Sequence, residues 1–259
     1  MKKISKMISL LWALLILTCH AMPIGAAQKP YSWYCTHRKD NLQPRADGSL
    51  AFIEKYNAYY VDKAHGDNCL DKVIYLTFDA GYENGNVARI LDVLKQEKVT
   101  AAFFVLGGII KKNTDVVNRM FDEGHLVCNH TYSHRAMAGV DKATFSSELE
   151  KLEYVCKEYT GKQLSCYYRP PEGVFDEQSL SHAQELGYKT IFWSFAYADW
   201  DNGKQMSPET AKRKILENVH NGEIMLLHPT SETNAIILKD VICELKSMGY
   251  RFGSLDEIK

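Results

Sequence analysis

The sequence predicts an α/β protein with a parallel, barrel-like sheet, and three observations carry that expectation. From Lys72 onward, short apolar runs of strand length alternate with amphipathic stretches of helix length, with few residues between them. The first run, Val73–Phe78, leads into Asp79 and a glycine turn, as a strand does when it delivers an acid to the carboxyl end of a parallel sheet. Discounting a leader of 27 residues, about 232 of the 259 residues remain, enough for one sizeable core.

Residues 1–27 read as an export signal. Lys2, Lys3 and Lys6 make a charged start, Ile8 to Cys19 an apolar core, and Gly25–Ala26–Ala27 a small-residue cleavage site. The apolar core is too short to span a bilayer comfortably, and Thr18 before Cys19 fits a lipoprotein signal poorly. The chain is therefore expected to act outside the cytoplasm, with no stable membrane span after cleavage. Residues 28–71 form a polar, tyrosine-rich N-terminal extension in which Ile53 to Val61 has helical spacing. In the domain at 72–259, strands are expected at Val73–Phe78, Ala101–Val105, Leu126–Cys128, Tyr167–Arg169, Lys189–Ser194 and Glu223–Leu227. Helices are expected at Val87–Glu97, Thr114–Glu123, Lys142–Tyr159, Glu177–Leu186, Pro208–Val219 and Asn234–Met248, the fifth begun by Ser207–Pro208.

Three of the 31 basic residues fall in the leader, so the remainder carries about 28 basic against 32 acidic groups. That excludes the broad basic face nucleic acid requires. Six cysteines follow the leader. Cys35 with Cys69, and Cys156 with Cys166, are the candidate disulfides, while Cys128 and Cys243 sit in apolar company and read as buried thiols. The cysteine spacing is not that of a zinc–thiolate site.

His130 and His134 lie four residues apart, a spacing that directs two imidazoles to one point and suits a divalent cation. A plainer reading makes them surface histidines on a helix, but they follow a short apolar strand and lie downstream of a strand-end acid. His125 is expected to be structural. Asp79 could cap the turn it begins, Arg169 could be a surface ion pair, Pro170–Pro171 a connector, and His228 a core histidine at a strand end. Trp193 and Trp200 could be core aromatics, with Trp200 also placed to wall a groove.

Taken in order, Thr77–Phe78–Asp79–Ala80–Gly81, His130 to His134, Arg169–Pro170–Pro171–Glu172–Gly173, Asp199–Trp200 and Leu226–Leu227–His228 resemble the motifs of the polysaccharide deacetylases of carbohydrate esterase family four, the NodB-homology enzymes. The resemblance spans roughly residues 72 to 258. It implies a distorted (β/α) barrel and hydrolysis of a sugar N-acetyl group. It implies Asp79 as the base, His228 as the acid, His130 and His134 as metal ligands, and Arg169 as the cation that keeps Asp79 ionised. A backbone N–H near Tyr82 would serve the oxyanion, and Trp200, Asp199, Pro171 and Tyr82 are expected on the substrate face. The implied cofactor is a divalent metal, zinc first.

Two departures stand out. Ala80 occupies the place of a metal-binding aspartate, so the metal should be held weakly. Ala196 occupies the place of an aspartate that orients the catalytic histidine, a task for which Asp199 is the candidate. The segments Tyr31–Ser32–Trp33–Tyr34, Lys55 to Tyr60 and Phe78 to Gly85 look like the PdaA-type delta-lactam-biosynthetic de-N-acetylases, which also carry a non-acidic residue, usually Asn, at the position of Ala80. That likeness implies removal of acetyl from N-acetylmuramic acid lacking its stem peptide, on the way to muramic δ-lactam in spore cortex peptidoglycan. The partner is then a peptidoglycan glycan strand, acted on by a monomer, and the lactyl carboxylate would want a cation from Arg169, Arg135 or Lys204. Other readings are a deacetylase of N-acetylglucosamine polymers, an acetyl-xylan esterase, and a non-catalytic cell-wall glycan-binding protein favoured by Ala80.

Overall fold

The structure, a computed structural model, describes residues 29–258, so the expected signal at 1–27 lies outside the described residues. Its centre is β5 (Lys72–Ala80), whose apolar run is buried on both faces, the pattern of a central parallel strand. Three two-residue strands, β1 (Tyr31–Ser32), β2 (Cys35–Thr36) and β3 (Arg45–Ala46), and the edge strand β4 (Ala58–Tyr59) precede it. After it come α1 (Asn86–Glu97), β6 (Ala102–Val105), α2 (Gly107–Lys112), α3 (Thr114–Asp122), β7 (Leu126–Asn129) and α4 (Lys142–Thr160). Then follow β8 (Ser165–Tyr168), β9 (Val174–Phe175), α5 (Glu177–Glu185), β10 (Lys189–Ile191), α6 (Pro208–Asn218), β11 (Glu223–Leu227), α7 (Glu232–Ser247) and β12 (Tyr250–Phe252).

The main sheet runs β11-β5-β6-β7-β8-β10-β4, with β12 also on β5, and its strands pair in parallel. Bridges Phe195–Met225 and Val61–Glu223 draw the two edges together, so the sheet curls into a distorted (β/α) barrel, as expected. Side chains alternate along β5. Ile74, Leu76, Phe78 and Ala80 face the helix-side core with Ile90, Leu94 and Phe103, while Val73 and Tyr75 fill the barrel with Phe104, Cys128 and Ile224. Asp79 falls on the interior face.

Several boundaries are set by local chemistry. Asp141 caps α4 by accepting from the Thr144 N–H, and Gly161 ends it at φ 72°. Asp176 and Ser179 form a reciprocal capping box on α5, and Ser207 with Pro208 opens α6.

The N-terminal extension departs from expectation. Ile53 to Val61 is not one helix: a 3-10 helix covers Gly48–Tyr56, left-handed Asn57 ends it, and Ala58–Tyr59 joins the sheet beside β10. Trp33, Ile53, Tyr60, Phe175 and Phe192 form a shared cluster, so the extension is packed into the barrel. The short α2, with glycines as its first two residues, and β12 carried too little periodicity to be read from sequence.

All six cysteines of the described residues are free. The Cys35 sulfur faces the Ser194 carbonyl at 3.4 Å. Cys156 is packed in the helix-side core while Cys166 is exposed, so neither candidate disulfide is formed. Cys243, expected to be buried, is exposed on α7 with its sulfur 3.7 Å from Glu97.

Candidate active site

Asp79, at the carboxyl end of β5, meets a guanidinium. Arg169 follows β8, is fully buried, and donates from Nη1 to Asp79 Oδ1 at 2.8 Å. Its other donors reach Thr77 Oγ1 at 2.9 Å, the Ile191 carbonyl at 2.9 Å and the Phe192 carbonyl at 3.3 Å, and its guanidinium lies 4.1 Å from the Phe104 ring centroid. Burial alone would push the Asp79 carboxyl up. Arg169, His130 and His228 around it outweigh that and hold it below the ordinary carboxylate range.

His130 and His134 occupy the loop after β7. Asn129 holds that loop: its Oδ1 accepts from the Thr131 N–H at 2.9 Å and its Nδ2 donates to the Leu149 carbonyl at 3.2 Å. Thr131 (φ 69°) and His134 (φ 60°) both adopt left-handed backbone, and for β-branched Thr131 this is a genuine outlier. Strained conformations of this kind cluster where a site over-determines the backbone. His130 Nδ1 lies 2.8 Å from the Arg169 carbonyl, which can only accept, so that nitrogen carries the proton and the Nε2 lone pair is left free. Burial lowers the His130 pKa to about 4. The ring is therefore neutral at pH 7, and its 3.5 Å approach to Asp79 is not an ion pair.

The two imidazole centroids are 5.1 Å apart, and both rings border the same cavity. Among the described residues no group of three or more His, Cys, Asp or Glu forms a metal site. Ala80 is wholly buried in the helix-side core and offers no ligand atom. The donors present, the imidazoles of His130 and His134, are of the kind that would hold a divalent cation.

His228 follows β11. The register of β11 on β5 sets Leu227 opposite Phe78, so His228 and Asp79 leave adjacent strands at the same level. His228 Nδ1 bonds Asp199 Oδ1 at 2.7 Å, and its backbone N–H donates to Asp199 Oδ2 at 2.8 Å. Asn234 Nδ2 donates to Asp199 Oδ2 at 2.6 Å, and Tyr197 donates to Asn234 Oδ1. Burial would lower the His228 pKa, but the Asp199 contact and the Asp79 charge raise it above the ordinary value. Asp199 is thus buried behind His228 rather than on the substrate face, and accepts from both the His228 backbone N–H and its ring.

A cavity of about 670 Å³ joins these groups, lined by Asp79, His130, His134 and His228 with Tyr82, Glu172, Trp193, Ala196 and Trp200. Trp200 and Tyr82 are more than half exposed on its rim, and Asn202 ties the Tyr82 hydroxyl at 2.8 Å. Pro171 is buried and, unlike the adjoining Glu172, does not line the cavity. Sequence reasoning missed Thr77, Asn234 and Glu172. Asn234 was legible only as the third residue after the helix cap Ser231, and nothing in the sequence marked the φ of 57° at Glu172. His125 is structural, as expected: its Nδ1 accepts from the Ala101 N–H at 3.2 Å.

An ionised carboxylate and a carboxylate-backed imidazole across one cavity, at the carboxyl ends of parallel strands, define a hydrolase of the acid–base type. The chain belongs to the polysaccharide deacetylases of carbohydrate esterase family four, hydrolases of acetyl carbon–nitrogen bonds, whose family profile matches residues 67–191. It is similar to the peptidoglycan-N-acetylmuramic acid deacetylase PdaA of Bacillus subtilis, with 39% identity over 90% of each chain. The solved structure of that protein aligns at a TM-score of 0.83, covering 89% of this chain and 97% of the other. A peptidoglycan-N-acetylglucosamine deacetylase of Bacillus cereus is 34% identical over 87% of this chain and 82% of its own length. The structure of a family-four pseudoenzyme from Bacillus anthracis aligns at 26% identity and a TM-score of 0.69, covering 78% of this chain and 68% of that one. Enzymes of the family are generally metal-dependent.

Proposed function

We propose that the protein is an exported de-N-acetylase that removes acetyl from N-acetylmuramic acid units of peptidoglycan lacking their stem peptide, leading to muramic δ-lactam in spore cortex. The carrying observation is that Arg169-paired Asp79 and Asp199-backed His228 leave adjacent strands at one level into one cavity. The muramic substrate is supported by the 39% identity to a muramic deacetylase over 90% of both chains. Export is supported by the leader-like start of the chain. Among the described residues no helix is long and apolar enough to cross a membrane.

Asp79, held ionised by Arg169, accepts a proton from the water whose oxygen attacks the acetyl carbon. His228 enters with Nδ1 bound to Asp199 and its Nε2 proton directed at the cavity. As the carbon–nitrogen bond breaks, that proton goes to the departing nitrogen, leaving acetate and a free amine. His130 and His134 would hold a divalent cation, which would supply Lewis acidity toward the acetyl oxygen and the water. The N–H of Tyr82, next to Gly81 on the cavity wall, is the oxyanion donor in this reading. Tyr82 and Trp200 offer ring faces to the sugar.

A second reading is a glycan-binding protein without turnover, favoured by one observation: Ala80 places a methyl group in the core where a ligand carboxylate would stand. The test incubates the protein with peptide-free peptidoglycan, with zinc or with chelator, and follows acetyl loss and the further loss of water by mass spectrometry. Metal-dependent acetyl loss is expected. Activity only on N-acetylglucosamine oligomers would move the substrate, and retained binding without turnover on either would establish the second reading.

A further inference from the structure

A glycan whose muramic units have lost their stem peptides is a polyanion with a lactyl carboxylate on alternate sugars, and the cavity does not meet that charge. Its lining contains Asp79 and Glu172 but no lysine or arginine. Arg169 is fully buried with its donors committed to Asp79, Thr77 and two carbonyls, and neither Arg135 nor Lys204 lines the cavity.

Cations gather around Tyr132, in the loop that carries both histidines. Tyr132 stands two residues from each of His130 and His134. Lys151 Nζ lies 4.0 Å from its ring centroid and Lys111 Nζ 5.7 Å from it, and Lys111 also donates to the Tyr132 hydroxyl at 3.3 Å. Lys111 is within 6.0 Å of the Tyr159 ring as well. Both lysines are exposed, and among the described residues neither forms an ion pair. Glu158 lies near Lys111 without pairing with it, and Glu148 is taken up by the Ser133 N–H and hydroxyl at 3.0 and 2.8 Å. The platform is fixed to the site: the Tyr132 carbonyl accepts from the Gly107 N–H at 3.0 Å, and its ring sits where a Cβ on residue 107 would fall, at 2.4 Å. Two ammonium groups around one neutral ring repel each other, and an anion seated between them relieves that repulsion.

We propose that Lys111 and Lys151, set around Tyr132, form a carboxylate subsite for the lactyl group of a second muramic unit, further along the strand whose first unit occupies the cavity. The subsite rests on the muramic reading of the site and extends it from one sugar to a stretch of strand.

The test measures binding of the full chain to three probes at low and moderate salt. They are peptide-free peptidoglycan strands, the same strands with lactyl carboxylates capped as methylamides, and N-acetylglucosamine oligomers. Lys111→Gln with Lys151→Gln should weaken binding to native strands about three- to tenfold and flatten its salt dependence. The same change should leave binding to capped strands and neutral oligomers unchanged, and on native strands KM should rise with kcat intact. Equal loss on all three probes, or no loss on native strands, overturns the subsite. Wild-type protein that prefers capped strands overturns it too. If no strand is deacetylated while the charge contrast in binding persists, the deacetylase reading falls and the subsite stands.

Discussion

Arg169 does more than tune one carboxylate. Removing it as Arg169→Ala leaves Asp79 buried without a counter-charge and strips partners from Thr77 and two carbonyls, at a cost of about 3–5 kcal/mol. Arg169→Lys keeps the charge but not the fork, so it should recover part of that stability and less of the rate; chemical denaturation beside kcat/KM checks both. At His228 the prediction concerns pH. Its raised pKa keeps the acid protonated above the ordinary histidine value of 6.5, so its deprotonation should set the fall of activity on the alkaline side. Asp199→Asn removes the main cause of the rise and leaves burial, which lowers the pKa. The alkaline limb of kcat/KM should then move to lower pH; an unmoved limb would show that His228 is not the acid. The same linkage applies to stability: the His228–Asp199 pair stabilises the fold fully below pH 6.5 and loses that contribution as pH rises through the folded pKa. Ala80 gives a third test. Ala80→Asp puts a carboxylate into an apolar core position, so it should lower the Tm in chelator and gain a larger zinc-induced Tm shift than wild type. Equal zinc shifts would show the third ligand position to be closed by packing.

At the scale of elements, sequence reading did best where periodicity was strong. The run Val73–Phe78 and the stripe of Ile90, Leu91 and Leu94 mark β5 and α1 because burial on two faces, or along one stripe, leaves no other pattern. Asp79, His130, His134, Arg169 and His228 were legible because chemistry restricts which side chains can fill those places. Asp199 was placed on the wrong side of the site, since an acid beside an exposed tryptophan gives no sign of which way it points. Ile53 to Val61 failed because left-handed Asn57 breaks its spacing and the next two residues find a strand partner more than 130 residues later. The turn Pro171–Gly173 carries another prediction. Glu172 is exposed and holds φ 57°, so Glu172→Gly should raise stability by about 1 kcal/mol. Gly173 has φ 65° and would put a Cβ 2.7 Å from the Trp193 ring, so Gly173→Ala should lower stability and disturb the cavity wall. Thermal denaturation of the two variants should move in opposite directions.

The whole barrel depends on its seam. Glu223 opens β11, bridges to Val61 of the extension, and is entirely buried, with one carboxyl oxygen left without a partner. Burial raises its pKa well above the ordinary 4.5, and burial lowers that of neighbouring His220 to about 4, so the two meet as neutral groups. The sign follows: the contribution of neutral Glu223 is fully present below pH 4.5 and is lost as pH rises through its folded pKa. Glu223→Gln should therefore flatten the decline of Tm as pH rises above 4.5, and an unchanged slope would assign the decline to other groups.

The placing of base and acid on neighbouring strands gives their separation an unusual kind of security. Asp79 and His228 are 149 positions apart in the chain, yet the gap between them is the spacing of two hydrogen-bonded parallel strands, roughly 4.8 Å. The sheet acts as a ruler with one division. Connections between the two strands can lengthen, shorten or acquire whole decorations without altering what the ruler reads. A slip of one residue in either strand would turn one member of the pair to the opposite face. Variation in chain length is therefore tolerated across most of the molecule, and intolerance is confined to the few residues that lock β11 onto β5.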